Sequence, residues 1–142
     1  MASLIYNSYK LKLIDNSTKI DYATDTIKVA LVTSTYSPSA DSHDFFNDIT
    51  NEVSGTGYTA GGATLASKTV TQDNTDDEAV FDAADVTWTT SSITARAAIL
   101  YKSTGVASTS PLIAYIDFGS DRISDGGTFQ ITFNAEGIVN IN

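Results

Sequence analysis

The chain has 142 residues, which is the size of one compact domain. Its 17 acidic and 8 basic residues give a net charge of -9 at pH 7, the wrong sign for a protein that binds a phosphate backbone. The absence of cysteine excludes disulfides, thiolate zinc sites and thiol nucleophiles, and no apolar run approaches the roughly 20 residues of a membrane helix. We therefore expect one domain, residues 1–142, with neither a nucleic-acid nor a membrane partner.

Residue usage favours strands over helices. Serine and threonine make up about a quarter of the chain, whereas Lys, Glu, Gln and Arg, which fill exposed helix faces, are scarce. Val, Ile, Thr, Tyr and Phe occur in short runs separated by Gly, Asn, Asp and Ser. This composition predicts an all-β fold, a single-domain antiparallel β-sandwich that has room for one short helix.

The sequence of the N-terminal segment, residues 1–14, is compatible with two secondary structures. Its large apolar residues include Leu4, Ile5, Tyr9, Leu11 and Leu13. The last three alternate with lysines, a period of two that favours a strand, whereas the first three could also lie along a short helix. Both possibilities stay open from the sequence.

Residues 27–34 form a nearly continuous apolar run, which predicts a strand buried on both faces. A short helical turn is then predicted, because Asp41 or Ser42 can act as its N-cap and acidic residues follow in the first turn. Phe45 and Phe46 would anchor this turn.

Residues 54–62 hold four glycines and one large side chain, Tyr58, so we predict a loop. Residues 63–72 predict a strand, and residues 79–83 predict its hairpin partner across a polar turn.

Five further strands are predicted in the second half of the chain, over residues 86–90, 95–102, 112–118, 128–132 and 138–142. The segments between them, residues 102–111, 119–127 and 133–137, hold the turn residues. Around the fourth of them, Phe129, Ile131 and Phe133 alternate with polar residues, as expected where one sheet face meets the core and the other meets water. Two packed sheets explain this pattern.

No group of residues indicates catalysis or a cofactor. The one histidine, His43, lies between Ser42 and Asp44 without the strained serine turn of a hydrolase, so we interpret it as a solvated loop or helix-start residue. We expect a non-enzymatic protein without a cofactor.

An acidic turn at residues 73–78 has the oxygen ligands that calcium prefers. It carries Glu78 where the calcium-loop motif needs glycine, so we favour a solvated hairpin turn over a metal site.

Charge is unevenly distributed. Residues 1–28 hold four lysines and three aspartates, a balance of +1, whereas residues 41–85 hold ten acids and one lysine, a balance of -9. The acidity can simply confer solubility. The alternative hypothesis is that the N-terminal segment docks on a partner, through Leu4, Ile5, Tyr9, Leu11 and Leu13, while the acidic lobe faces solvent.

The order of segments carries a resemblance over nearly the whole chain, from Leu4 to Ile141. The segments that carry it are, in chain order, DTIKVALVTSTYSP, HDFFNDI, EVSGTGYTAGGATLASKTVT, DNTDDEAVFDAADVTW, ITARAAILYKSTGVASTSPLIAYIDFG and FQITFNAEGIVNI. Their succession resembles a family of small virion structural proteins of tailed bacteriophages. The resemblance implies a β-rich capsid decoration, or cement, protein, made in the bacterial host cytoplasm. It would bind the major capsid protein outside the head, often as a homotrimer. It supplies no functional residue.

A tail or fibre component that binds carbohydrate or a receptor is the alternative. All-β domains with long polar loops often present adhesive sites, and Tyr58 and Trp88 could stack on sugars where they are exposed. We expect Trp88 in the core, which would remove it from such a platform.

Overall fold

The computed structural model describes residues 2–142 and contains eight strands in that range. They are β1 (Leu4–Ile5), β2 (Ile27–Val32), β3 (Ala63–Thr64), β4 (Thr69–Asp73), β5 (Glu78–Asp82), β6 (Val86–Lys102), β7 (Leu112–Ile131) and β8 (Val139–Ile141). One α-helix, α1 (Asn7–Asp15), and two short 3₁₀ turns, Phe46–Asp48 and Ala107–Thr109, complete the elements. Within the described range no helix has the length and apolar character needed to span a membrane.

Two antiparallel sheets build the fold, with strand orders β1-β7-β6-β2-β3 and β4-β5-β8. The main core brings Phe81 and Val139 of the smaller sheet together with Val29, Leu100 and Ile113 of the larger one. The predicted all-β, two-sheet architecture is confirmed.

A second core covers the opposite face of the larger sheet. There Tyr6 and Tyr36 pack with Ile99, Leu112 and other residues of β6 and β7. β2 is therefore enclosed on both faces, which explains its continuous apolar run and confirms that prediction.

The predicted helical turn exists but begins later than expected. It starts at Phe46, whose ring stacks on Tyr101 at 4.1 Å between centroids. The cap is the Asp48 carboxylate, which accepts the backbone N–H groups of Asp44 and Phe45 at 2.8 and 3.0 Å. The proposed caps Asp41 and Ser42 are wrong because the carboxylate that binds these N–H groups lies inside the turn.

A strand over residues 9–13 is wrong, because these residues lie in the helix α1, and the helical alternative through Leu4, Ile5 and Tyr9 holds for Tyr9 alone. α1 turns Tyr9 into the main core, where its hydroxyl accepts a hydrogen bond from the Tyr22 hydroxyl at 2.6 Å. The helix ends at Asn16, which adopts φ 55° and donates its N–H to the Lys12 carbonyl. Only Leu4 and Ile5 extend a sheet, next to β7.

The predicted strand over residues 63–72 divides in two. Ser67 has φ 52°, and this turn sends β3 to the larger sheet and β4 to the smaller one. The predicted hairpin is confirmed as the β4–β5 pair.

The predicted breaks inside β6 and β7 are wrong. The two strands stay paired from Val86 opposite Ile131 to Tyr101 opposite Leu112, with four register shifts between. The expected turn at 119–127 lies inside β7, where Gly119 and Gly126 take positive φ values of 81° and 67°. Glycine suits a bulge as well as a turn, which is why the sequence pattern misled.

Candidate functional site

The exposed face of α1 is the most apolar surface of the N-terminal segment. Leu11, Leu13 and Ile14 are 59%, 51% and 86% exposed, and Lys10 lies beside them. We call these four residues the helix patch. Large apolar side chains grouped on the surface of a small domain are typical of a protein contact.

Several bonds hold the helix patch in place. The Tyr9–Tyr22 hydrogen bond fixes α1 from below, and the Asn7 amide donates to the Asp41 carboxylate at 2.6 Å. The Lys12 ammonium lies 5.2 Å from the centre of the Phe45 ring. The patch is therefore a fixed surface of the domain.

The structure divides the five residues predicted for partner docking. Leu11 and Leu13 are exposed on the helix patch, whereas Leu4 and Ile5 are half-buried in β1 and Tyr9 lies in the core. Ile14, the most exposed of the large apolar residues, was missed because a period of two does not include it. The helical spacing from Leu11 to Ile14 was the signal that could have found it.

A second apolar surface lies on the smaller sheet. Val70 and Ile141 are 54% and 46% exposed, and Ala79 pairs directly with Ile141. Residues opposite each other in an antiparallel pair project from the same face. Val70 is opposite Phe81, two residues along β5 from Ala79, so all three side chains share the sheet face that carries Phe81 into the main core. We call Val70, Ala79 and Ile141 the hairpin patch.

Carboxylates lie at the turn that joins β4 to β5, and two of them, Asp73 and Glu78, project from the sheet face opposite to the hairpin patch. Asp73 accepts the N–H groups of Thr75 and Asp76 at 2.7 and 3.3 Å, and Glu78 accepts the Asn140 amide at 2.8 Å. These two acids shape the turn, whereas Asp76 and Asp77 are exposed. Among residues 2–142 no group of three or more acidic or histidine residues is placed to hold a metal ion.

His43 lies in a loop, as expected, but it is less solvated than expected. It is half-buried, and its Nδ1 lies 2.8 Å from the Tyr36 hydroxyl and 3.4 Å from the Ser39 N–H. Because the Ser39 N–H can only donate, Nδ1 acts as an acceptor and Tyr36 donates to it. Tyr36 also lies 3.0 Å from the Tyr6 hydroxyl, and burial raises the pKa of Tyr6 far above its ordinary value. Through these hydrogen bonds His43 holds the loop around Ser39 against Tyr36 of the second core.

The aromatic platform considered for sugar binding does not form. Trp88 is buried in the main core, as predicted, with its ring 5.9 Å from that of Tyr58. The Tyr58 hydroxyl donates to Glu52 at 2.7 Å and accepts the Leu31 N–H at 2.9 Å. Burial therefore removes Trp88 from such a platform, whereas Tyr58 is half-buried.

Two adjoining grooves of about 600 and 510 Å³ follow β7 and share Phe118, Ile131 and Thr132. Beside them Arg96 donates to Asp117 at 2.8 Å, and this bond lowers the pKa of the carboxyl to about 2. The ion pair joins β6 to β7 at the register shift between Ala95 and Ala97, which is a structural role.

No protein family, curated protein or solved structure matches this chain.

Proposed function

We propose that this chain is a non-enzymatic structural protein of a tailed bacteriophage virion, a decoration protein that binds the major capsid protein outside the head and stabilises the shell. The resemblance in segment order from Leu4 to Ile141 supports this family of roles. The observation that carries the proposal is the helix patch, a surface of exposed apolar residues held rigidly on a small domain.

The apolar side chains of the helix patch are more stable buried in a permanent protein contact than exposed to water. Burying an exposed leucine or isoleucine contributes about 1.5–3 kcal/mol, and the patch offers Leu11, Leu13 and Ile14 together. Because α1 is already folded and anchored, little ordering entropy is lost when it docks. The acidic remainder of the chain keeps the free protein dispersed before assembly.

A homotrimer fits the same role. Joined copies raise one another's effective concentration at a repeated lattice, so that a small contact per copy is enough for tight attachment. The proposed place of action is therefore the exterior of the capsid, where neighbouring capsomers present several sites to one oligomer.

Purified chain added to empty shells that lack it tests the proposal. We expect the wild-type chain to co-sediment with the shells up to a fixed ratio. A variant with Leu11→Ser and Ile14→Ser should bind at least about tenfold more weakly. Substitution is preferred to deletion of the segment, because a deletion would remove Tyr6 and Tyr9 from the cores.

Ile123→Ser is the matched control, since Ile123 is 72% exposed on β7 and lies outside the helix patch. It should bind shells like the wild type. Failure of the folded wild-type chain to bind any shell, or turnover of a substrate by the purified chain, would contradict the proposal.

A further inference from the structure

The strand β4 is the longest edge strand of the two sheets. Within residues 2–142 the edge strands are β1, β3, β4 and β8. β1 and β3 have two residues each and β8 has three, whereas β4 has five and pairs with β5 in unbroken register. Proteins commonly protect an edge with a short strand, a bulge or a proline, because its free backbone groups pair readily with another strand. β4 has none of these protections.

The backbone of Val70 points to the open side of β4. The Phe81 carbonyl accepts the Ile138 N–H at 2.7 Å, on the side of β5 that faces β8. Because a strand residue directs its N–H and C=O to the same side, Phe81 bonds toward β8, and its pair with Val70 is not hydrogen-bonded. The N–H and C=O of Val70 therefore face outward, where no described strand pairs with β4.

We propose that two copies of this chain pair through β4, antiparallel and about a two-fold axis at Val70. The two Val70 residues would exchange N–H···O=C hydrogen bonds, and Thr69 of each copy would lie opposite Thr71 of the other. Two three-stranded sheets would then form one sheet of six strands. Threonines opposite each other stabilise an antiparallel pair.

The side chains favour this register over the neighbouring one. Val70 is 54% exposed, and pairing at Val70 covers it with the valine of the second copy. A two-fold axis at Thr71 would instead place Val70 opposite Gln72, an apolar side chain against a polar one. The axis at Val70 therefore matches like with like on both sheet faces.

Charge favours antiparallel over parallel pairing. The turn after β4 carries four acids over residues 73–78. In the antiparallel arrangement the turns of the two copies lie at opposite ends of the six-stranded sheet. A parallel arrangement would set the two acidic turns side by side, and like charges placed together across an interface are unfavourable.

The contact goes beyond the proposed function and does not depend on it. A contact about a two-fold axis closes on two copies, so it is distinct from the contact that would build a homotrimer. It uses no residue of the helix patch. On a shell it would join copies of neighbouring trimers, whose closeness raises the effective concentration for pairing.

Disulfide formation between two single-cysteine variants tests the register, because the natural chain has no cysteine. Thr69 and Thr71 are both exposed. Across the axis they would form a non-hydrogen-bonded pair with Cα atoms about 4.5 Å apart, a distance that a disulfide spans. Under mild oxidation an equimolar mixture of Thr69→Cys and Thr71→Cys should therefore give a mixed dimer, identified by its mass.

Each variant alone should crosslink more slowly than the mixture. Two copies of Thr69→Cys would hold their thiols at diagonal positions about 7–8 Å apart between Cα atoms, beyond the reach of a disulfide. Thr94→Cys, at an exposed position of β6, is the matched control partner for Thr69→Cys. A mixture that crosslinks no faster than this control, or no faster than Thr69→Cys alone, would overturn the proposed pairing.

A charge at the axis gives a second measurement. Val70→Lys would place two ammonium groups beside each other, and should weaken dimerisation at least about tenfold. Sedimentation velocity at up to about 1 mM chain detects dimers of this strength. Ile123→Lys adds the same charge at an exposed position of β7 and should leave dimerisation unchanged. Circular dichroism checks that both variants fold.

The outcomes separate this inference from the proposed function. A wild-type chain that stays monomeric at that concentration, or a Val70→Lys variant that dimerises like the wild type, would overturn the β4 contact whether or not the chain binds shells. Dimers that pass both tests but bind no shell would overturn the decoration role and leave the β4 contact standing.

Discussion

β6 and β7 pass through two environments, and the contrast between them explains much of the sequence. Where they lie beside β2, residues 97–101 and 112–115 are buried by a core on each face. Beyond β2 only one face is covered, and buried Trp88, Ile93 and Phe129 alternate with exposed threonines. The doubly covered half supplies stability, while the singly covered half forms a polar outer surface on the same pair of strands.

Truncating one side chain in each half should give the largest difference in the free energy of unfolding between the two halves. Ile99→Ala empties a fully buried position in the second core and should lower the free energy of unfolding by about 2–5 kcal/mol. Thr94→Ala, on the exposed face of the other half, should change it by less than about 0.5 kcal/mol. Urea denaturation measures both. Equal losses would show that the two halves are not energetically distinct.

Two glycines extend the same comparison to the backbone. A Cβ on Gly62 would lie 1.9 Å from the Val29 carbonyl oxygen, whereas a Cβ on Gly126, in the bulge of β7, would meet no atom within 4 Å. Gly62→Ala should therefore cost more than about 2 kcal/mol of unfolding free energy. Gly126→Ala should cost only about 1 kcal/mol, for its positive φ. Thermal unfolding of the two variants checks this order.

The smallest expected effect on stability concerns the ion pair between Arg96 and Asp117, which lies where the two halves join. The Arg96 guanidinium holds the pKa of Asp117 at about 2, below its ordinary 3.8. Because the folded-state pKa is depressed, the stability this carboxylate contributes is present above pH 3.8 and is lost as the pH falls towards 2. Arg96→Gln should raise the Asp117 pKa towards 3.8 in a carboxyl NMR titration. An unchanged titration would exclude Arg96 as the cause.

Local patterns predicted the faces of strands well. The alternation of Phe129 and Ile131 with polar residues and the unbroken apolar run of β2 both report burial directly, because side chains alternate along a strand. Strand continuity was not predictable in this way. Gly119 and Gly126 suit a turn and a bulge equally, and only pairing with β6 decides between them.

The helix patch was half predictable. Leu11 and Leu13 were identified as exposed contact residues under a strand pattern, although the segment is helical. The choice of helix depends on Tyr9 reaching Tyr22, a contact that no local pattern contains. Val70 and Ile141 were missed because they lie 71 positions apart and come to the same face of the smaller sheet only through their separate partners on β5, Phe81 and Ala79.

Imaging of empty shells saturated with the chain, at a resolution that places α1, tests the central claim most directly. We predict density on the outside of the head, with Leu11 and Ile14 covered by a neighbouring molecule. Decorated shells in which α1 faces solvent, or shells that carry no added density, would contradict the account.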